Sequence, residues 1–232
     1  MGSESCRAVD ADPELELVAR VGRDDPPETL VSARVQVAVE FTTPASVKDN
    51  VRFCLSHGIH CVVGATGLSD SDLEEVRGWC RDGGANALVA PNFALGAVLM
   101  MSFAAAAARH FDTAEIVERH HERKLDAPSG TALRTARLMT EAREGRPWTT
   151  PGGEESLPGS RGGEAGGIHL HSLRVPGSVA HQEVVLGSAG ETLTIRHDSL
   201  DRTSFMPGVI LAIKRVASLD GLVVGLENVL DL

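Results

Sequence analysis

Tyrosine is absent from this chain, and six Phe with two Trp bring the aromatics to only 3% of 232 residues. So sparse a supply argues against the aromatic platforms on which single-stranded nucleic acids stack. Positive charge is scarce as well: 22 Lys and Arg face 32 Asp and Glu, a formal net charge of −10. Nucleic acid and anionic membrane surfaces are therefore not expected as partners. No run of roughly 18 apolar residues is present, so no spanning helix is expected. The opening Met1-Gly2-Ser3-Glu4-Ser5-Cys6-Arg7 lacks the apolar centre of a secretory signal. The four cysteines, Cys6, Cys54, Cys61 and Cys80, show no C-x-x-C spacing. Cys54 and Cys61 lie in or beside apolar runs and are expected as buried free thiols, which points to a cytoplasmic protein.

What is present, 42% hydrophobic and 23% charged residues, is enough core for one large domain or two smaller ones. The first half alternates strand and helix patterns. Strands are expected at Leu15–Val21, Val35–Phe41, His60–Gly64 and Ala87–Ala90, with helices at Ala45–Ser56 and Asp70–Cys80. That alternation indicates βαβ units in a parallel sheet, whose ligands bind beyond the carboxyl ends of the strands. From Asn92 the pattern changes. An Ala-rich helix is expected over Gly96–His110, a strand over Ala114–Arg119 and a helix over Thr131–Arg143. A Gly- and Pro-rich stretch, Gly145–Gly167, is too long for an ordinary connection and reads as a functional or mobile loop. Strands follow at His169–Val175, Ala180–Leu186 and Thr192–His197, the last two joined as a hairpin through Gly187-Ser188-Ala189-Gly190. The tail reads as a helix, Pro207–Val216, and a short strand, Gly221–Val224. The expected fold class is α/β, α+β overall: a Rossmann-type parallel half, then a mainly antiparallel half.

The stretch richest in chemistry is Glu118-Arg119-His120-His121-Glu122-Arg123-Lys124-Leu125-Asp126-Ala127-Pro128-Ser129-Gly130-Thr131-Ala132. A strand delivers two histidines and, four residues after the first, a lysine, then turns into a helix. Pro128 suits a helix start, and Ser129 or Asp126 can cap it. The backbone N–H groups around Ser129-Gly130-Thr131 form an anion site, and Gly130 permits close approach. Lys124 adds a full positive charge, and His120 or His121 can move a proton near neutral pH. A carboxylate-bearing substrate that accepts a proton fits this constellation. From spacing alone, the same string also describes a capped, solvated helix start. No metal site is expected. Neighbours on a strand point to opposite faces, which disfavours joint chelation by His120 and His121. His169 and His171 share a face without a third ligand at suitable spacing.

This string resembles the signature E-x-x-H-H-x-x-K-x-D-A-P-S-G-T-A of the dihydrodipicolinate reductase family, with Glu118 one place closer to the histidines. Val39-Glu40-Phe41-Thr42-Thr43-Pro44 resembles the family's V-D-F-T-x-P, Val62-Val63-Gly64-Ala65-Thr66-Gly67 its V-V-G-T-T-G, and Ala90-Pro91-Asn92-Phe93 its A-P-N-F. Val179–Val184 and Leu193–Asp198 are similar to its sheet strands, so the likeness runs from near residue 3 almost to the end. The resemblance implies a reductase converting 4-hydroxy-tetrahydrodipicolinate to tetrahydrodipicolinate with NADH or NADPH in lysine and diaminopimelate biosynthesis. It implies His120 as proton donor, Lys124 as catalytic cation, and His121, Gly130 and Thr131 as binders of a small cyclic dicarboxylate. It places Gly64, Ala65 and Thr66, with Ala90, Pro91, Asn92 and Phe93, at the nicotinamide. Ala65 departs from the usual Thr and keeps only its backbone contact. In the Gly22-Arg23-Asp24-Asp25 turn the family often has an acid; here Arg23 could accept a 2′-phosphate, with Asp24 or Asp25 less well placed for the ribose, and the same residues equally describe a charged surface turn. The implied domains are 1–93 with 203–232 for the dinucleotide and 94–202 for substrate and oligomerisation, in a homotetramer built through the antiparallel sheets.

Family members open with a strand and a glycine-rich turn that carries the pyrophosphate. This chain opens at Met1-Gly2, like the last two residues of that turn. The expectation that follows is an exposed sheet edge and weakened cofactor binding. Either the native protein is longer, or the chain is an impaired homologue acting only as a ligand-binding or oligomerisation subunit.

Overall fold

Val37–Glu40 (β1), His60–Val63 (β2), Ala87–Val89 (β3) and Leu222–Val224 (β9) form a fully parallel sheet in that order in the computed structural model, which describes residues 1–230. Asp231 and Leu232, the end of the expected return segment, lie outside the described residues. The connections are helices, as parallel pairing requires: Val47–Ser56 (α3), Asp70–Gly83 (α4) and, before the last strand, Met206–Val216 (α7). Gly2–Ala11 (α1) and the short Glu28–Ser32 (α2) precede the sheet.

Each helix has a local cause. In α3 the residues Val47, Val51, Cys54 and Leu55 recur at helical spacing and are all buried. Ser69 and Asp72 cap α4 reciprocally, and Gly84 ends it at φ 65°. Gly83 lets α4 close on α3, since a Cβ there would stand 1.9 Å from the Leu55 carbonyl oxygen. Gly208 does the same for α7, where a Cβ would lie 2.0 Å from the Phe93 oxygen. Cys54, Cys61 and Cys80 are buried free thiols in the core of this unit, and Cys6 is partly exposed.

One strand expectation is overturned. Leu15–Val21 runs without strand or helix assignment, with Val18 45% and Val21 38% exposed. Its apolar, β-branched composition is that of a strand, but a strand exists only by pairing. This segment and β1 both line a cavity of about 1800 Å³, and the sheet, β1-β2-β3-β9, takes no strand from the segment.

The chain divides into two compact units, Met1–Leu95 with the segment from Arg202 on, and Gly96–Asp201. The second begins with Leu95–Ala108 (α5), an Ala-rich helix whose Ala104 and Ala108 are fully buried. Thr113–His120 (β4), Gly163–Ala165 (β5), Ile168–Arg174 (β6), Ala180–Ser188 (β7) and Glu191–Ser199 (β8) form a sheet in the order β5-β6-β4-β7-β8. It is antiparallel except where β4 pairs with β6. β7 and β8 form the expected hairpin, with Ser188 paired to Glu191 across a two-residue turn. Gly130–Glu141 (α6) packs Ala132, Ala136 and Met139 against Ile116, Ile168 and Val184 of the sheet. Most of the Gly145–Gly167 stretch is loop, but Gly163–Ala165 adds a strand at the sheet edge.

Candidate active site

β4 alternates, and its buried phase is Ala114, Ile116 and Glu118. A carboxylate therefore stands where the pattern asks for an apolar side chain, and Glu118 is fully buried. Burying a charge is costly unless it is paired. Here Arg174 donates from Nη1 and Nη2 to the two carboxylate oxygens, each at 2.9 Å. The Ser129 N–H donates at 3.2 Å and His120 Nδ1 lies at 2.5 Å. Burial pushes the Glu118 carboxyl up, but hydrogen bonds from Arg174, Ser172 and His120 outweigh it and leave its pKa below the usual value.

His120 closes β4, beside Arg174 of β6 and Ala180 of β7. Burial lowers its pKa, the Glu118 contact raises it, and the charges of Lys124 and Arg174 lower it further. His121 follows the strand, with a buried Nδ1 that has no hydrogen-bond partner among the described residues. The chain then turns, the Lys124 N–H bonding the His121 carbonyl at 3.2 Å, and passes a cis Ala127–Pro128 bond into α6. Of the two possible caps, Ser129 takes the role: its Oγ accepts from the Ala132 N–H at 3.2 Å. Asp126 instead holds Lys124 Nζ at 2.7 and 2.9 Å. Gly130 and Thr131 make the first turn of α6, and a Cβ on Gly130 would meet nothing within 4 Å. Hydrogen bonds through Glu118, Arg174 and Asp126 thus link His120, the Lys124 loop and the start of α6.

Glu118 and Arg174 did not stand out in the sequence as site residues. The signal for Glu118 was a carboxylate in the buried phase of an alternating strand. Arg174 has no such signal, because its place depends on the parallel pairing of β6 with β4.

In the first unit, Gly64, Ala65 and Thr66 follow the carboxyl end of β2, and Ala90, Pro91, Asn92 and Phe93 follow β3. Gly64 packs against Phe41, whose ring a Cβ would meet at 2.1 Å. Phe93 is buried and lies edge-on to Phe41, with centroids 5.6 Å apart. Asn92 Oδ1 accepts from the Ala94 N–H at 2.9 Å and stiffens the turn. These strand ends form an apolar floor with backbone groups at its edge, which fits a planar carboxamide ring such as nicotinamide. Arg23 is exposed and lines the 1800 Å³ cavity together with Gly2 and Ser3 of α1, whereas residues 64–66 and 90–93 do not line it. Among the described residues no group of three His, Cys, Asp or Glu is arranged to hold a metal ion. No helix among them is long and apolar enough to cross a membrane.

A family model described as the N-terminus of dihydrodipicolinate reductase matches residues 1–93, and one described as its C-terminus matches residues 96–230. A 4-hydroxy-tetrahydrodipicolinate reductase of Corynebacterium diphtheriae is 52% identical over 235 residues, covering 100% of this chain and 95% of that protein. That of Streptomyces griseus is also 52% identical, covering 100% and 94%. Among solved structures, a dipicolinate-bound dihydrodipicolinate reductase from a Paenisporosarcina species is similar, with TM-score 0.90 and 38% identity, covering 99% of this chain and 95% of that one.

Proposed function

The chain belongs to the dihydrodipicolinate reductase family, and on that premise we propose how its own residues carry the reaction. It is a nicotinamide-dependent reductase that converts 4-hydroxy-tetrahydrodipicolinate to tetrahydrodipicolinate in lysine and diaminopimelate biosynthesis. Full-length likeness to named reductases favours this over a silent binding subunit. In the net reaction the substrate loses water and gains a hydride and a proton.

The bound nicotinamide supplies the hydride. Gly64, Ala65, Thr66 and Ala90–Phe93, beside the Phe41–Phe93 pair, would hold its ring end. Arg23 would take the 2′-phosphate of NADPH, and NADH would bind without that contact. Asp25 is committed to its own turn, accepting from the Gly22 N–H at 2.7 Å, which leaves it poorly placed for the ribose.

Lys124 and the Gly130–Thr131 turn hold the two substrate carboxylates, because an ammonium and a helix N-terminus each favour an anion. His121 adds the buried Nδ1 that has no hydrogen-bond partner among the described residues. His120 donates the proton. Burial lowers the His120 pKa, and an arriving dianion favours the charged imidazole, so substrate binding promotes loading of the acid. The observation that carries these roles is the hydrogen-bond network of Glu118, Arg174 and Asp126 that links His120, Lys124 and the start of α6. The face of the β5–β8 sheet that carries Val117, Leu173 and Val185 is read as the surface through which a homotetramer forms.

Purified protein given freshly generated substrate with NADH or NADPH is expected to consume the cofactor, and pyridine-2,6-dicarboxylate is expected to compete with the substrate. Cofactor consumption that ignores the substrate overturns this reading.

A further inference from the structure

Glu118 is the one carboxylate in the second unit that is wholly buried, and every contact it makes bears on this network. It joins three elements: its own β4, the end of β6 through both Nη atoms of Arg174, and the start of α6 through the Ser129 N–H. Arg174 Nη2 also donates to the Asp126 carbonyl at 2.6 Å, tying the Lys124 loop to the same point.

An ionised carboxylate only accepts hydrogen bonds. The 2.5 Å contact with His120 Nδ1 therefore requires the proton on Nδ1, which leaves Nε2 as the nitrogen whose protonation changes. The paired guanidinium keeps Glu118 ionised, so the proton stays on the imidazole rather than passing to the carboxylate. Without this contact the ring is free to rotate or to adopt the other tautomer, and the same side chain would present the wrong nitrogen.

We propose that Glu118, held ionised by Arg174, is a positioning residue for the reduction, fixing His120 in the Nδ1–H tautomer so that Nε2 alone delivers the proton. This rests on His120 as the proton donor and adds what makes it a directed one. The charged groups facing the ring are Glu118 of its own strand, Arg174 of β6 and Lys124 of the loop. Removing the one negative charge among them lowers the pKa of His120, since an adjacent opposite charge is what favours the imidazolium.

The test compares wild type with Glu118→Gln, Glu118→Asp and His120→Gln. In Glu118→Gln, kcat is expected to fall at least about 10-fold with substrate KM little changed. The alkaline limb of its kcat profile should move down by roughly 1 pH unit or more. Glu118→Asp keeps the charge and should return the limb toward its wild-type place. A purely structural Glu118 would lower thermal stability but leave the limb where it is, and that result overturns the proposal. Ring ¹⁵N shifts of His120 in the wild-type enzyme at alkaline pH need no variant at all: protonated Nδ1 with bare Nε2 is expected, and the reverse overturns the proposal. If His120→Gln keeps its kcat, the proton-donor reading fails instead, whatever the tautomer.

Discussion

Lys124 Nζ sits 2.7 and 2.9 Å from the two carboxylate oxygens of Asp126, so the cation assigned to the substrate already holds a carboxylate of its own loop. The pair lowers the Asp126 pKa, Lys124 being the first cause. An incoming dicarboxylate must share or displace this contact. Asp126 is more than half exposed, and exposed pairs are worth about 0.2–1 kcal/mol. Asp126→Asn is therefore expected to tighten binding of pyridine-2,6-dicarboxylate by roughly 1.5- to 5-fold. Weaker binding by calorimetry would mean that Asp126 aims Lys124 rather than competing for it.

Lys124→Ala and Thr131→Val should both weaken the same ligand, and unequally. Loss of a full charge costs about 1.5–3 kcal/mol, whereas Val removes one hydroxyl and leaves the backbone N–H, about 0.5–1.5 kcal/mol. Added salt should shrink the Lys124 contribution, since that side chain is 22% exposed. Titrations at low and high ionic strength check both statements, and an unaltered affinity in Lys124→Ala removes the lysine from the site.

Replacing His120 by Gln should lower kcat by roughly 10²–10⁴-fold, the range for a lost general acid, with the cofactor Kd nearly constant. Retention of most of kcat would move the role to His121.

Arg23→Ala separates the two cofactors. The KM for NADPH is expected to rise by about 10-fold, corresponding to one charge-assisted contact of roughly 1.4 kcal/mol, while that for NADH stays put. Equal effects on both would place the 2′-phosphate elsewhere.

Acid should weaken the first unit through His60. Its Nδ1 accepts from the Asn86 N–H at 2.9 Å, which requires a neutral ring, and burial lowers its pKa from 6.5. The unfolded chain then binds a proton near pH 6.5 that the folded one refuses, so this contribution is present above that pH and lost as pH falls below it. His60 is partly exposed, and a loss below about 1 kcal/mol, roughly 2–4 °C in Tm, is expected between pH 7.5 and 5. His60→Asn should show a shallower dependence; an identical slope would assign the acid sensitivity to other groups.

Most of the architecture was legible because it is written in short-range patterns. The Val47, Val51, Cys54, Leu55 spacing makes α3 apolar on one side wherever it packs, and Ser69 with Asp72 marks the start of α4 from four residues. The parallel sheet follows from helices of this length between strands. The HHxxKxDAPSGT string similarly contains its own turn and helix cap, so the strand end at His120, the loop with Lys124 and the helix start at Gly130 were legible together. Leu15–Val21 shows where such reasoning stops: its composition is that of a strand, yet pairing is a property of neighbours, and the sheet takes no strand from it.

By itself, then, the sequence determined α3 to α7, most strands and the turn and cap after His121, because these depend on propensity, period and caps within a few positions, whereas α1 and α2 were not read from it. Only the tertiary structure decided what Glu118 and Arg174 do. They are 56 residues apart and meet because β4 and β6 pair in parallel, with His120 opposite Arg174 in the register. No local pattern encodes that pairing. It is settled by packing the whole sheet against α6, and with it goes the choice of which histidine nitrogen is left to carry the proton.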